Sequence, residues 1–402
     1  MMRSMFSAVS GLRANQTMMD VVGNNIANVN TPGFKASSIT FEEALFQLLR
    51  GPGESINPLQ LGLGVRVASI DPIFTQGAVQ VTGRTTDLAI QGQGFFILEN
   101  DGQRYYTRSG AFNFDGAGNL VTSNGFRVLG WAADASGTVD PNAPVEPITI
   151  PIGQVTPARA TSQVLVGGNL SADAPIGTAV DTSITVYDSL GNPHTLQLTF
   201  TKSATNTWDV AATVDGSAGS LSPNQIVFDT GGALTTAGPL VFSGVTPPGA
   251  DPMAFDVVIG GTGGLVQYGG VSTAEATNQD GRASGVLRGF AISDDGTITG
   301  QFSNGETKVL GAIAVASFAN PAGLVRVGNS NFAASVNSGE PLIGTPGTGP
   351  RGQLTAGALE MSNVDLAQEF TSLIVAQRGF QANARVISSS DEILADLVNL
   401  KR

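Results

Sequence analysis

One histidine, four lysines and no cysteine limit the chemistry open to this chain. A Ser/His/Asp triad would have to use His194, and no serine lies in the Gly-x-Ser-x-Gly elbow that holds a nucleophile on a strained turn. His194 closes the stretch Asp188-Ser189-Leu190-Gly191-Asn192-Pro193-His194, which reads as a turn between two alternating strands, so it is expected to be a turn or strand-start residue. A phosphate loop needs Gly before Lys, whereas Phe34, Thr201, Thr307 and Leu400 precede the four lysines. Gly92-Gln93-Gly94 lacks the third glycine of a dinucleotide fingerprint, and Asp294-Asp295-Gly296 lacks calcium-loop spacing and reads as a hairpin turn. The absence of Cys removes disulfides, zinc–thiolate sites, iron–sulfur clusters and cysteine nucleophiles together. No catalytic residue, cofactor or metal is therefore expected. Paired carboxylates for glycoside hydrolysis need no local motif, so a secreted β-rich glycan hydrolase or adhesin stands as the reading from another functional class.

The 402 residues carry a net charge of −12, and only 13% of them are charged, against roughly 25% in an ordinary soluble domain. A hydrophobic fraction of 41% is too high for wholesale disorder, and the length allows two or three domains. With so few basic residues no nucleic-acid partner is expected. The longest nearly apolar run, residues 310–319, falls short of the roughly 20 residues a membrane helix needs, so no membrane insertion is expected. Ser4, Ser7 and Ser10 interrupt the apolar core that a cleaved secretory signal would require.

The elements that would position any function lie at the two ends. Met2, Met5, Val9, Leu12, Gln16, Met19, Gly23 and Ile26 recur at 3/4 spacing, a heptad seam that stops at Asn30-Thr31-Pro32-Gly33. Leu366, Phe370, Leu373, Gln377, Phe380, Ala384, Ile387, Asp391, Leu394 and Val398 repeat the pattern at the other end. At 1.5 Å per residue these helices would be about 38 Å and about 50 Å long. Neither can bury a seam alone, so they are expected to pair with each other and with copies in neighbouring subunits, frayed in the monomer and ordered on assembly. A short third helix is expected over 41–50: Thr40 and Glu43 fit a capping box, Phe41, Leu45 and Leu48 share a face, and Gly51-Pro52 would end it.

From about residue 60 to 358 the period changes to two, with turn signals such as Asn100-Asp101-Gly102, Asp115-Gly116, Ser123-Asn124-Gly125 and Ser303-Asn304-Gly305. Alternation is clear at Ile184 and Val186, and again at Leu196, Leu198 and Phe200. Composition shifts over 134–160 and 270–285 mark crossings between compact units. The fold class that follows is mainly β with long terminal α-helices, in nested domains. Residues 1–70 and 359–402 would form a terminal helical domain of paired coiled-coil helices. Residues 71–145 and 282–358 would form an inner β domain, and 146–281 an outer one.

The segment from Gly23-Asn24-Asn25-Ile26-Ala27-Asn28 through Asn30-Thr31-Pro32-Gly33-Phe34-Lys35 resembles the N-terminal signature of the bacterial flagellar rod and hook protein family. Ser362-Asn363-Val364-Asp365-Leu366 and Ala376-Gln377-Arg378-Gly379-Phe380-Gln381-Ala382-Asn383 resemble its C-terminal counterpart. Thr86 to Phe96 and Tyr106 to Phe112 are also similar to the family, and Val186 to His194 is similar to a segment of its hook members. The resemblance implies an exported structural subunit. It would polymerise with itself into a flexible curved tube that transmits torque from rod to filament, with a distal rod or hook–filament junction role as the alternative. It also implies four partners besides self: a hook cap protein, a distal rod protein, a junction protein and the flagellar type III export apparatus. It places assembly on Met5, Val9, Leu12, Met19, Asn24, Asn25, Ile26, Asn28, Asn30, Thr31, Pro32, Gly33 and Phe34, and on Leu366 to Val398 of the second seam.

Overall fold

The computed structural model describes all residues except 1, 51–58, 135, 151, 152, 154, 262 and 400–402, with backbone alone at 2, 50, 59 and 397–399. Helix α1 spans Met2–Ala27 and helix α2 spans Leu366–Asn399. Asp365 starts α2: its Oδ1 accepts from the backbone N–H of Ala367 (2.8 Å) and Gln368 (3.2 Å), satisfying two donors that have no partner inside the helix. After α1 the chain turns through Asn28–Thr31 and reaches Gly33 at φ +69°, a conformation that glycine adopts without strain.

The expected third helix is corrected. Residues 37–43 form strand β1 (Ser37–Glu43) and residues 46–50 form strand β2 (Phe46–Arg50). Strand β2 pairs with β3 (Leu59–Gly62), and β1 pairs antiparallel with β4 (Val65–Pro72). The physical reason is tertiary. A helix there would have had an apolar face to bury, but Phe41, Leu45 and Leu48 are all exposed. The backbone of the β-branched pair Ile39-Thr40 instead finds a ladder in β4, where Glu42 also meets Arg66 at 2.6 Å. The expected stop at Gly51-Pro52 lies outside the described residues.

The chain divides into two compact units. One comprises residues 1–151, 290–300 and 308–402, the other residues 152–289 and 301–307. In the first, a sheet runs in the order Arg127–Ala132, Phe95–Asn100, Gln103–Thr107, Asn331–Ala333, Val325–Gly328. Its core gathers Phe95, Ile97, Tyr106, Trp131, Phe318 and Phe332. Phe95 meets the rings of Phe74, Phe318 and Phe332 at 5.4–5.9 Å, each pair edge-on to within the usual scatter.

The second unit is a β-sandwich. Strands Ala179–Tyr187, Pro193–Ala204 and Thr207–Val214 form one sheet; Leu240–Val245, Met253–Val258 and Gln163–Asn169 belong to the other. Val186, Leu196, Leu198, Phe200 and Trp208 of the first sheet share one core with Phe242, Phe255 and Val257 of the second. The alternation legible at 196, 198 and 200 is the inward face of a strand buried on one side, and all three side chains are fully buried.

Candidate assembly surface at the chain ends

Helices α1 and α2 pack antiparallel within the first unit. Gly11 faces Asn383, where a Cβ on the glycine would fall 2.6 Å from Asn383 Nδ2. One turn further along α1, Asn15 faces Gly379, where the corresponding Cβ would fall 2.7 Å from Asn15 Oδ1. Each helix thus inserts an asparagine over a glycine of the other. Asn25, near the end of α1, reaches the first turn of α2: its Nδ2 donates to Glu369 Oε1 at 3.0 Å.

Most of the fully buried side chains on the two helices are small or polar. Ala8, Ala14, Val22, Asn25 and Ala376 are buried, whereas Phe6, Phe370, Ile374 and Val375 are at least half exposed. None of the expected seam residues whose side chains are described is among the fully buried ones. Val9 is exposed, and Met5, Leu12, Met19 and Ile26 are half-buried. On α2, Leu366, Phe370, Gln377 and Phe380 are exposed, while Leu373, Ala384, Ile387 and Leu394 are half-buried. The reason is distance: only small residues let two helix backbones approach this closely, and large side chains at the contact would hold them apart. The side chains of Met2 and Val398 lie outside the described residues.

The Asn-rich segment at the end of α1 and just beyond it is a hydrogen-bonded hub. Asn25, buried, donates from Nδ2 to Ser37 O (2.9 Å) as well as to Glu369, and its Oδ1 accepts from Ser37 N–H (3.0 Å). Burial pushes the Glu369 carboxyl up, an effect that the Asn25 hydrogen bond opposes. Asn28 Nδ2 donates to Asn24 O at 2.9 Å, and Thr31 Oγ1 donates to Asn28 Oδ1 at 3.1 Å. Asn24 and Asn30 are exposed, Thr31 and Pro32 half-buried, and Phe34 buried. Gly33 passes so close to Ser109 that a Cβ would lie 2.4 Å from its backbone nitrogen, and Gly33 N–H donates to Glu360 O at 2.8 Å.

Below this loop lies an ionic cluster that the sequence reading did not single out. Lys35 Nζ sits 2.6 Å from Glu360 Oε1 and donates to Thr75 O at 2.7 Å. Arg108 Nη1 is 3.3 Å from Glu360 Oε2, and Gly77 N–H donates to Glu360 Oε1 at 2.9 Å. Burial lowers the pKa of both cations, and Glu360 opposes that shift in each. Asn363, just before α2, accepts from Ala36 N–H (2.8 Å) and donates to Ile73 O (2.8 Å), fastening the C-terminal strand exit to the N-terminal one. Lys35 and Asn363 lie inside the two terminal motifs, which is the signal available; Arg108 lies in the Tyr106–Phe112 stretch. A cleft of about 670 Å³ opens beside the loop, lined among others by Asn24, Asn28, Pro32, Phe34 and Arg326, whose guanidinium lies over the Phe34 ring at 5.3 Å.

His194 belongs to the second unit and lies at a strand start, as expected. It contacts Asp215 and Asp188. Among the described residues, no group of three or more His, Asp and Glu side chains could hold a metal ion, and no helix is long and apolar enough to cross a membrane.

Comparison with known proteins gives consistent matches along the chain. Residues 5–35 match the family model of the flagella basal body rod protein, and 355–400 match the flagellar basal body rod FlgEFG protein C-terminal family. Residues 89–169 match the flagellar hook protein FlgE/F/G D1 domain, and 155–282 the flagellar basal body protein FlaE D2 domain. The flagellar hook protein FlgE of Treponema pallidum is 40% identical, with all of both chains covered. That of Salmonella typhimurium is 37% identical, over 99% of this chain and all of the relative. The flagellar basal-body rod protein FlgG of Bacillus subtilis is 30% identical over the whole of both chains. The crystal structure of Helicobacter pylori flagellar hook protein FlgE2 superposes with a TM-score of 0.56 at 14% identity. It covers 70% of this chain and all of that one, a likeness of fold.

Proposed function

The chain belongs to the flagellar hook protein family, and from that premise we propose that it is the structural subunit of a hook, polymerising with its own copies into a flexible curved tube that transmits torque. The observation that carries this reading is the inverted packing of the terminal helices. Their small residues face each other, and Phe6, Phe370, Ile374, Val375, Val386 and Ile393 remain exposed. Burying one such side chain is worth about 1.5–3 kcal/mol, so several on one pair of helices supply a strong drive to association. Met5, Val9, Leu12 and Met19, with Phe370, Phe380 and their seam neighbours on α2, are the residues we assign to contacts between copies in the tube core.

A bent rotating tube must lengthen and shorten each neighbour contact once per turn. Many interfaces of nearly equal energy suit that task better than a few deep ones. A chain with 13% charged residues offers few ion pairs to break as subunits slide, and exposed pairs contribute little in any case. In this reading 1–70 and 359–402 form the tube core, 71–145 and 282–358 an inner β domain, and 146–281 an outer one. The partners are other copies first, then the cap, distal rod and junction proteins and the export apparatus of the same organelle. Its place is outside the cell, in the flagellum. The role is mechanical rather than catalytic, and His194 between two carboxylates serves structure.

Electron microscopy of the full chain and of a form lacking 30 residues from each end tests the reading. Curved tubes from the full chain alone, and none from the trimmed form, are expected. Tubes from the trimmed form would overturn the assignment of the helices. Straight rods, or no polymer without a second protein, would point to a rod or junction role.

A further inference from the structure

His194 is held between two carboxylates that belong to different turns of the second unit. Its Nδ1 lies 2.6 Å from Asp215 Oδ2, on the turn after Thr207–Val214, and its Nε2 lies 3.3 Å from Asp188 Oδ2, in the loop after Ala179–Tyr187. Asp188 is buried and fixed: its Oδ1 accepts from the N–H of Leu190 (2.9 Å) and Asn192 (2.8 Å), and its Oδ2 from Asn192 Nδ2 (3.0 Å). Gly191 completes the loop at φ +84° with its Cα packed so closely that a Cβ would fall 2.5 Å from Ala158 Cβ. Asp215 is different. Its side chain is 53% exposed, and its Oδ1 accepts from Thr195 N–H at 2.8 Å.

We propose that His194 is a proton-operated latch that fastens the 188–192 loop to the 215–216 turn in its doubly protonated form and releases Asp215 when it loses a proton. The stoichiometry of donors carries the argument. An imidazolium has two N–H groups and can donate to both carboxylates; a neutral imidazole has one, and its lone pair then faces an anionic oxygen. Asp188 cannot retreat because three hydrogen bonds hold it, so Asp215, which already touches water, is the carboxylate that turns away. Its departure takes the Thr195 hydrogen bond with it and loosens one corner of the sheet.

Asp215 and Asp188 supply the charges acting on the ring from the two elements packed against it, and Val186 lies at the paired strand position. The Asp215 hydrogen bond raises the pKa of His194 above its ordinary 6.5; burial works against this and Asp188 adds to it. A folded pKa above the unfolded one makes the latch complete below pH 6.5 and undoes it as pH rises through the raised value. The unit is thus most firmly closed in mild acid and loosens above neutrality.

Because the chain has one histidine, its ring resonance in the full-length protein is a single unambiguous signal. A titration midpoint above 6.5 is expected, moving back toward 6.5 in Asp215→Asn, a substitution at a half-exposed side chain that preserves shape. Hydrogen exchange, corrected for the intrinsic pH effect, should show protection of the Thr195 amide falling at least about twofold between about pH 6 and pH 9. That fall should be absent in Asp215→Asn. A midpoint at or below 6.5 would overturn the proposal, and so would Thr195 protection that is independent of pH while the histidine titrates high.

Discussion

Lys35 Nζ lies 2.6 Å from Glu360 Oε1 with neither side chain exposed to solvent, and the two residues are 325 positions apart. One follows the N-terminal helix and the other precedes the C-terminal helix. The pair therefore closes the ends of the chain onto each other, and Arg108 from the β body of the same unit shares the carboxylate. A buried ion pair adds little net stability over an apolar substitute, but breaking one from a single side is expensive because a charge is left without its partner.

Glu360→Gln tests this directly. It would leave Lys35 and Arg108 as two buried cations, and a loss of about 3–5 kcal/mol is expected in the urea unfolding of the first unit. Arg108→Met should cost less, since Lys35 keeps its partner.

Asn25→Ala would strip partners from Ser37 N–H, Ser37 O and Glu369 at once. Leaving such buried polar groups unmade costs about 1–3 kcal/mol. Asn25→Asp should be worse, because it removes the donors and adds a negative charge beside Glu369. Thermal unfolding followed by helix content measures both.

Glycines of α1 should respond in opposite ways. At Gly23 an added Cβ meets nothing within 4 Å, so Gly23→Ala should raise monomer stability by up to about 1 kcal/mol through helix propensity alone. At Gly11 a larger side chain runs into Asn383, and Gly11→Val should cost about 1–3 kcal/mol as the helices are forced apart. Equal effects from the two changes would contradict the close Gly–Asn contact.

The exposed apolar face separates folding from assembly. Phe370→Ser with Ile374→Ser should change monomer stability by no more than about 0.5 kcal/mol, as surface changes do. Sedimentation of the polymer should nevertheless fall sharply. A destabilised monomer with normal polymerisation would reverse the assignment of these faces.

Acid should weaken the second unit through Asp188. Burial alone would raise its pKa, but hydrogen bonds from Asn192, His194 and Leu190 prevail and bring it to about 2, below the ordinary 3.8. A folded value below the unfolded one means that the stabilisation is present above 3.8 and lost as pH falls through about 2, amounting to about 2 kcal/mol. Fluorescence of Trp208, buried in that unit, reports the loss in a Trp131→Phe background.

Particular residues show what could be read in advance. Leu196, Leu198 and Phe200 announced an inward-facing strand because period two is written into the chain itself. Residues 41–50 carried a helical spacing that the ladder offered by Val65–Pro72 overrode. The contacts of Gly11 with Asn383 and of Asn15 with Gly379 carry no heptad signal, because that pattern is one of large apolar residues and here small and polar ones make the contact.

By itself the sequence determined the β-rich body, the two long terminal helices, the absence of cysteine chemistry and the motifs of a flagellar family. All of these depend on residue type and on spacing over one element. Only the tertiary structure decided which helix stripe is buried, which turn His194 bridges to, and that Lys35, Arg108 and Glu360 share one pocket. Those outcomes depend on residues from separate elements, 21 positions apart for His194 and Asp215 and 325 for Lys35 and Glu360, being brought within hydrogen-bond distance. A lone charged side chain carries no pattern from which its distant partner can be read.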